Sequence, residues 1–433
     1  MNTQKPIGDI TLAVLIDKGA GGYVIDCTIF DLQASKEGDK TAESTWAFYE
    51  KMCKGVLLDE SFLCTDTENT MGATFLNDKR KGKLWLLCNN HLMARMQVNA
   101  VENRYTKVYY FGAFYDSADI WFDFARAKRD WLRENQLPLM DSLCDTRTHR
   151  SEMRRYNTLN VVYDSLLTLD DCPDEELSKK SLSQMATLQT RMKGWHDTLE
   201  FGKDVTISFV RLVHADMLDA LKPETGDTKA IIEYKELLMK YSPKFTANAT
   251  KDVNTLGTFF APAYTHTVMA DVTVPEITTM IVNFYELLDL ECGGERVFNE
   301  RSKFQVVEPV KKQTDADIFK SKFAKLGPQK SQSKTTPLEH RVKQEVNRYL
   351  KIKPANLDTL QFWSDLRNDL PTLHDLAIHV LLAPATCLNS DRTYSVATRI
   401  VSKFRRNANV EWCSACYMFL KEVSGVSGQQ TRP

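Results

Sequence analysis

The sequence predicts an α/β fold: a strand-bearing N-terminal region, a long helical middle, and a helical C-terminal segment. Three observations carry this. Short apolar, β-branched runs cluster before residue 90. Apolar residues recur at helical spacing through much of 100–300. Past a Lys-rich polar stretch, two more helical segments lie near the C-terminus.

Length and charge narrow the possibilities. A chain of 433 residues can bury a large core, and two or three domains are expected. Its hydrophobic content of 43% and charged content of 26% are ordinary for a globular protein. The formal net charge of −1 gives no bulk attraction to nucleic acid or membrane, so any basic surface must be local. The 10 cysteines follow no framework spacing, and no secretory leader pattern opens the sequence. Free thiols in a reducing compartment are the expectation. No apolar run approaches the roughly 18 residues of a membrane span.

The elements follow in order. Ile10–Ile16 and Tyr23–Phe30 are β-rich runs around the Gly-rich turn at 18–22, which reads as a hairpin. The continuous apolar first run suits a central strand. The turn lacks both GxGxxG and the P-loop lysine pattern, so a phosphate loop is not expected. Thr41–Lys54 reads as a helix with Trp46, Tyr49 and Met52 on one face. Ser61–Asp66 and Lys83–Cys88 are further strands, and Asn89-Asn-His91 opens a helix running towards Val101.

Phe114, Trp121, Phe124, Trp131 and Leu132 crowd one amphipathic stretch, and Ile231–Lys240 is a later helix. Residues 303–336 hold Lys311, Lys320, Lys322 and Lys325 before a Gly-Pro-Gln-Lys-Ser-Gln run, with too few apolar residues to pack. Beyond them, Leu373, Leu376, Ala377, Val380 and Leu381 form one apolar helix face, and Pro384 stops that helix. Ser390 is a good N-cap for a next helix with Asp391 in its first turn and Val396, Ile400 and Phe404 inside.

The C-terminal order of parts resembles the dimerisation region of hAT-superfamily DNA transposases. That family shows an aspartate, a Phe-Trp, a Pro-x-Leu-x-x-Leu-Ala block, a Pro-Ala-Thr-Ser run and then Ser-Glu-Arg-x-Phe-Ser. The matching residues are Asp358, Phe362-Trp363, Pro371 to Ala377, Pro384-Ala-Thr-Cys387 and Ser390-Asp-Arg-Thr-Tyr-Ser395. Several offsets agree at once over 345–423.

Further matches lie upstream. Thr65-Asp-Thr-Glu-Asn-Thr-Met71 looks like the family's Thr-Asp-Asn-Ala-x-Asn-Met block, and Cys88-Asn-Asn-His91 like its Cys-x-x-His. Arg154-Arg-Tyr-Asn-Thr-Leu159 looks like its Arg-Trp-Asn block, and Leu256 to Pro262 like its Leu-Asp-Pro-Arg segment. The resemblance implies an RNase H-like core interrupted by a large all-helical insertion and closed by the C-terminal segment. The domains expected are a core at 1–160, the insertion at 161–302, a linker at 303–337, the dimerisation region at 338–423 and a tail at 424–433. The family's N-terminal BED-type zinc finger has no counterpart pattern here, which implies a truncated, domesticated form.

In this resemblance Asp17, Asp66 and Asp391 fall at the metal-binding catalytic triad. Two-metal phosphoryl transfer uses such carboxylates at strand ends and on a nearby helix. Asp17 lacks its family context, and Asp391 replaces a glutamate. The shorter side chain withdraws the carboxylate by roughly 1.5 Å, where such sites hold geometry to about 0.5 Å. The expectation is a degenerate enzyme with no cofactor. The alternative is an active Mg²⁺-dependent transposase performing strand cleavage and transfer with three aspartates. Strand-end and N-cap aspartates are also common for purely local reasons.

Cys88-x-x-His91 offers half a zinc site, with Cys413-x-x-Cys416 as a distant other half. Pairs so far apart do not make an ordinary finger, so zinc is not expected from them. The resemblance places His91 in the transposase core, facing DNA or a scissile phosphate; a satisfied buried histidine is the competing reading. Arg155, Arg392, Arg399, Arg405 and Arg406 are candidate phosphate contacts, against a plain solvated face. Trp363, Leu373, Leu376, Trp412 and Phe419 offer more apolar surface than their own helices can bury, so a homodimer or larger oligomer is expected through them, against folding back on the core. The expected role is a nuclear, dimerising interaction module with non-specific DNA contact, no membrane and no small-molecule substrate.

Overall fold

The computed structural model describes residues 7–17, 23–34, 62–65, 85–104, 109–127, 178–200, 205–288, 291–292, 295–296, 337–352 and 358–387. The expected helix at 41–54 and nearly all of the 303–337 linker lie outside these, as does everything past Cys387.

The N-terminal hairpin is present. Strands β1 (Ile7–Asp17) and β2 (Tyr23–Ala34) pair antiparallel from Asp17↔Tyr23 to Ile7↔Ala34, with a bulge where Ile10 faces Asp31 but Thr11 faces Ile29. Strands β3 (Leu63–Thr65) and β4 (Trp85–Leu87) pair parallel, Cys64 opposite Leu86. A third short ladder joins Glu291–Cys292 (β5) to Glu295–Arg296 (β6). Among the described residues these are three separate two-stranded ladders, and most of the rest is helical.

The helices are α1 (Asn89–Glu102), α2 (Tyr110–Ala127), α3 (Lys179–Glu200), α4 (Val210–Ala220), α5 (Lys229–Tyr241), α6 (Pro243–Ala249), α7 (Asp252–Phe259), α8 (Thr265–Met269), α9 (Val274–Leu288), α10 (Pro337–Tyr349), α11 (Thr359–Asp365) and α12 (Pro371–Leu381). A 3₁₀ turn at Thr206–Phe209 leads into α4. None of the described helices is long and apolar enough to cross a membrane.

Helix α7 sits at the centre. Every residue from Val253 to Phe259 is buried, so it has no solvent face. It packs on α4, α6, α8, α9, α12 and the 3₁₀ turn. Gly257 allows the last of these approaches: a Cβ there would lie 2.8 Å from Ile207 Cγ1 and 3.2 Å from the Ile207 carbonyl oxygen.

A helix end leaves backbone carbonyls without partners, and the chain covers those of α7 from afar. Tyr349 Oη donates to the Phe259 carbonyl at 2.8 Å, and Trp363 Nε1 donates to the Phe260 carbonyl at 2.7 Å. The rings lock the same junction: Phe260 and Trp363 meet edge-on at 5.5 Å, and Tyr349 and Trp363 at 5.3 Å. Helix α12 starts in the same way. Pro371 occupies its first turn, Leu370 offers no cap, and the buried Glu345 of α10 accepts from the Thr372 and Leu373 amides at 3.3 and 2.8 Å. Asp358 caps α11 by accepting from Leu360 N at 2.7 Å, a local reason for the aspartate that opens the C-terminal pattern.

The C-terminal helices and the middle helices therefore share one continuous apolar core, which runs from Leu86 to Ala385. This corrects an expectation. Trp363, Leu373 and Leu376, taken as dimer surface, are each 0% exposed within the single chain. Their apolar area exceeds what α11 and α12 can cover, but α7, α9 and α10 cover the rest. Trp412 and Phe419 lie outside the described residues.

Gly257→Ala tests the central packing. Forcing a methyl against the stiff, β-branched Ile207 costs about 1–3 kcal/mol, set against about 1 kcal/mol gained in helix propensity. The expected outcome is a lower urea midpoint, and an unchanged or higher one would show that α7 has room to spare.

Candidate functional site

The site forms where β4 passes into α1. Cys88 is the N-cap of α1, with φ −58° and ψ 114° and no side-chain cap bond. Its amide donates to the Thr65 carbonyl at 2.7 Å, which extends the β3–β4 pairing by one rung. His91 follows Cys88 by three residues, so both side chains share the first turn's face.

The C-terminal segment docks onto this turn. The Ala385 carbonyl accepts from the Asn89 amide at 3.2 Å and from Asn89 Nδ2 at 2.8 Å. The Ala385 amide donates to Thr206 Oγ1 at 3.3 Å, and Thr386 Oγ1 donates to the Leu199 carbonyl at 3.3 Å. Cys387 N then donates to Cys88 Sγ at 3.3 Å, and Cys387 Sγ lies 3.5 Å from His91 Nδ1.

Asn248 of α6 completes the frame. Its Oδ1 accepts from Leu87 N at 3.3 Å and its Nδ2 donates to Leu87 O at 3.0 Å, as a neighbouring strand would. Nδ2 also donates to Asn89 Oδ1 at 2.9 Å. Lys251 Nζ donates to the Trp85 carbonyl at 2.8 Å and lies over the Trp85 ring. Burial pushes the Lys251 ammonium below its usual range, with the charge of Cys64 opposing this.

Cys88 is fully buried. Burial pushes its thiol up, yet hydrogen bonds from Cys387, Cys64 and His91, together with the His91 charge, hold it well below the ordinary thiol value. Thiolate is the nucleophilic and metal-binding form. Close by, Asn90 Nδ2 donates to the His196 carbonyl at 3.3 Å, and burial pushes the His196 imidazole down to about 4. Cys88, His91 and Cys387 bring their ligand atoms within 4.8 Å of one another. Two sulfurs and an imidazole are soft or borderline donors, a set unsuited to magnesium.

The expected site residues are placed unevenly. Cys88 and His91 meet as their spacing implies. Their new neighbour is Cys387, while Cys413 and Cys416 lie outside the described residues. Of the carboxylate set, Asp17 is the last residue of β1, and Asp66 and Asp391 fall outside. Arg155, Arg392, Arg399, Arg405 and Arg406 also lie outside. His91 is half-buried against Cys387.

Residues 339–416 match the family model of the hAT family C-terminal dimerisation region. These residues therefore carry an hAT-type C-terminal dimerisation region. The match takes in most of α10, all of α11 and α12, and the docking segment, and the described residues of the hAT region contribute to the core of the molecule. It is a dimerisation region, which points to self-association. No curated protein matches the chain.

Two outcomes follow. Asn248→Ala strips the Leu87 amide and carbonyl of their partner and leaves Asn89 Oδ1 without its donor. A buried polar group left unsatisfied costs about 1–3 kcal/mol, so urea unfolding should show at least that loss. The double variant with Asn89→Ala should lose less than the sum, because the two amides share one bond.

The second concerns pH. An unfolded histidine protonates near pH 6.5, whereas folded His196 does so only near pH 4. The unfolded state binds more protons between these values, so stability present above about pH 6.5 is lost as pH falls. The loss from pH 7 to pH 5 is about 2 kcal/mol. Urea midpoints should show that slope, and His196→Gln should flatten it.

Proposed function

We propose that this chain is a self-associating nuclear module derived from an hAT transposase, built on an RNase H-like core and no longer able to cut DNA. The observation that carries the reading is the closure of Ala385–Cys387 onto the β4–α1 turn. It brings the hAT region to the strands in the way the family resemblance implies. Asp17 ends β1, Asp66 directly follows the last residue of β3, and Asp391 follows Cys387 by four positions.

Loss of chemistry rests on the aspartate at 391. A carboxylate withdrawn by roughly 1.5 Å exceeds the placement tolerance of about 0.5 Å for a catalytic constellation. Self-association rests on the matched dimerisation region. With Trp363, Leu373 and Leu376 committed to the core, its contact surface is assigned to Trp412 and Phe419. DNA contact rests on the arginines at 155, 392, 399, 405 and 406, which would hold phosphates without reading sequence.

Incubation with hairpin-forming and nicked DNA ends in Mg²⁺ or Mn²⁺ tests the loss of chemistry. No cleavage or joining is expected. Activity present in the natural chain and abolished by Asp66→Asn would establish the active transposase instead. Light scattering should give a dimer or larger species that Trp412→Ala with Phe419→Ala shifts towards monomer. A well-folded monomer at high micromolar concentration would contradict the self-association.

A further inference from the structure

We propose that Cys88, His91 and Cys387 bind zinc, so that a metal staples the C-terminal segment to the β4–α1 turn. The site needs neither DNA chemistry nor self-association, and it stands or falls separately from both.

The geometry comes first. Tetrahedral zinc holds sulfur at about 2.3 Å and imidazole nitrogen at about 2.0–2.1 Å, so the two donors sit about 3.6 Å apart across it. Cys387 Sγ and His91 Nδ1 are 3.5 Å apart. All three ligand atoms fall within 4.8 Å of one another, close enough for one ion to reach them with small side-chain adjustments. Cys88-x-x-His91 spans a single helical turn, which keeps that pair preformed. Cys64 hydrogen-bonds Cys88 from the neighbouring strand, directly opposite Leu86 in the parallel pairing.

The chemistry agrees. Two thiols and an imidazole are a donor set suited to zinc, and thiolates select zinc over magnesium or calcium. A Cys88–Cys387 disulfide is the competing use of these sulfurs. It would leave unexplained why His91 Nδ1 faces Cys387 Sγ.

The full chain, expressed in zinc-supplemented medium and dialysed without chelator, is the material for the test. Elemental analysis should give a single zinc per chain. Replacement by Co²⁺ should give the intense visible and near-ultraviolet bands of a tetrahedral thiolate complex. Chelation should lower the melting temperature, with recovery on adding Zn²⁺ but not Mg²⁺.

Cys387→Ser and His91→Ala should each lose the bound metal. Cys413→Ser with Cys416→Ser should keep it. The Co²⁺ spectrum of the unmodified chain is the reading independent of any misfolding in the ligand variants. A metal-free chain without thiolate–Co²⁺ bands, a Cys88–Cys387 disulfide in freshly purified protein, or metal lost only from the Cys413 and Cys416 variant would overturn the proposal.

Discussion

The Ala385 carbonyl is the point on which this molecule turns. It accepts from both the backbone and the side chain of Asn89, and Asn89 is almost fully buried. The first amides of a helix have no partner of their own. Here one is satisfied by a residue nearly 300 positions away. A buried donor left unmet costs more than a typical hydrogen bond gains, so α1 and the C-terminal segment each need the other. Asn248 links a third region to the same junction by imitating a strand beside Leu87. Strand, helix, middle region and C-terminus thus converge on one turn, and the chemically distinctive side chains gather there because the backbone is held there.

The same logic recurs at α7. Its closing carbonyls are covered by Tyr349 and Trp363, and the opening amides of α12 by Glu345. Long-range side chains doing the work of local caps explain why the hAT region is inseparable from the helices before it. Helix α11 also lies against β2, so the C-terminal region contacts both the hairpin and the helical core. The large aromatics of the motif are structural for this reason: they finish a helix in another part of the chain.

Much of this was legible in the residues. The hairpin, the β4 strand and the helix opening at Asn89 follow from β-branched runs and helical spacing. The end of α12 follows from Pro384 and its start from Pro371. The family pattern was legible because its offsets are rigid. What failed was accounting across distance. Trp363, Leu373 and Leu376 looked too apolar for their own helices, and only the packing of α7, α9 and α10 shows where that area goes. Cys387 was hidden differently: it occupies the serine position of a Pro-Ala-Thr run, so it read as a motif substitution. Cys413-x-x-Cys416, with a ligand-like spacing of its own, drew the pairing instead. Sequence proximity carries no information about a contact made only when the ends of the chain close.

Residue-resolved hydrogen exchange on the full chain tests that closure most directly. The amides of Asn89, Ala385 and Cys387 all have acceptors on the far side of the closure. They should exchange as slowly as the buried amides of α7, and Asn89→Ala should speed all three together. Exchange of residues 385–387 at the rate of an unstructured peptide, with 88–92 still protected, would contradict the account.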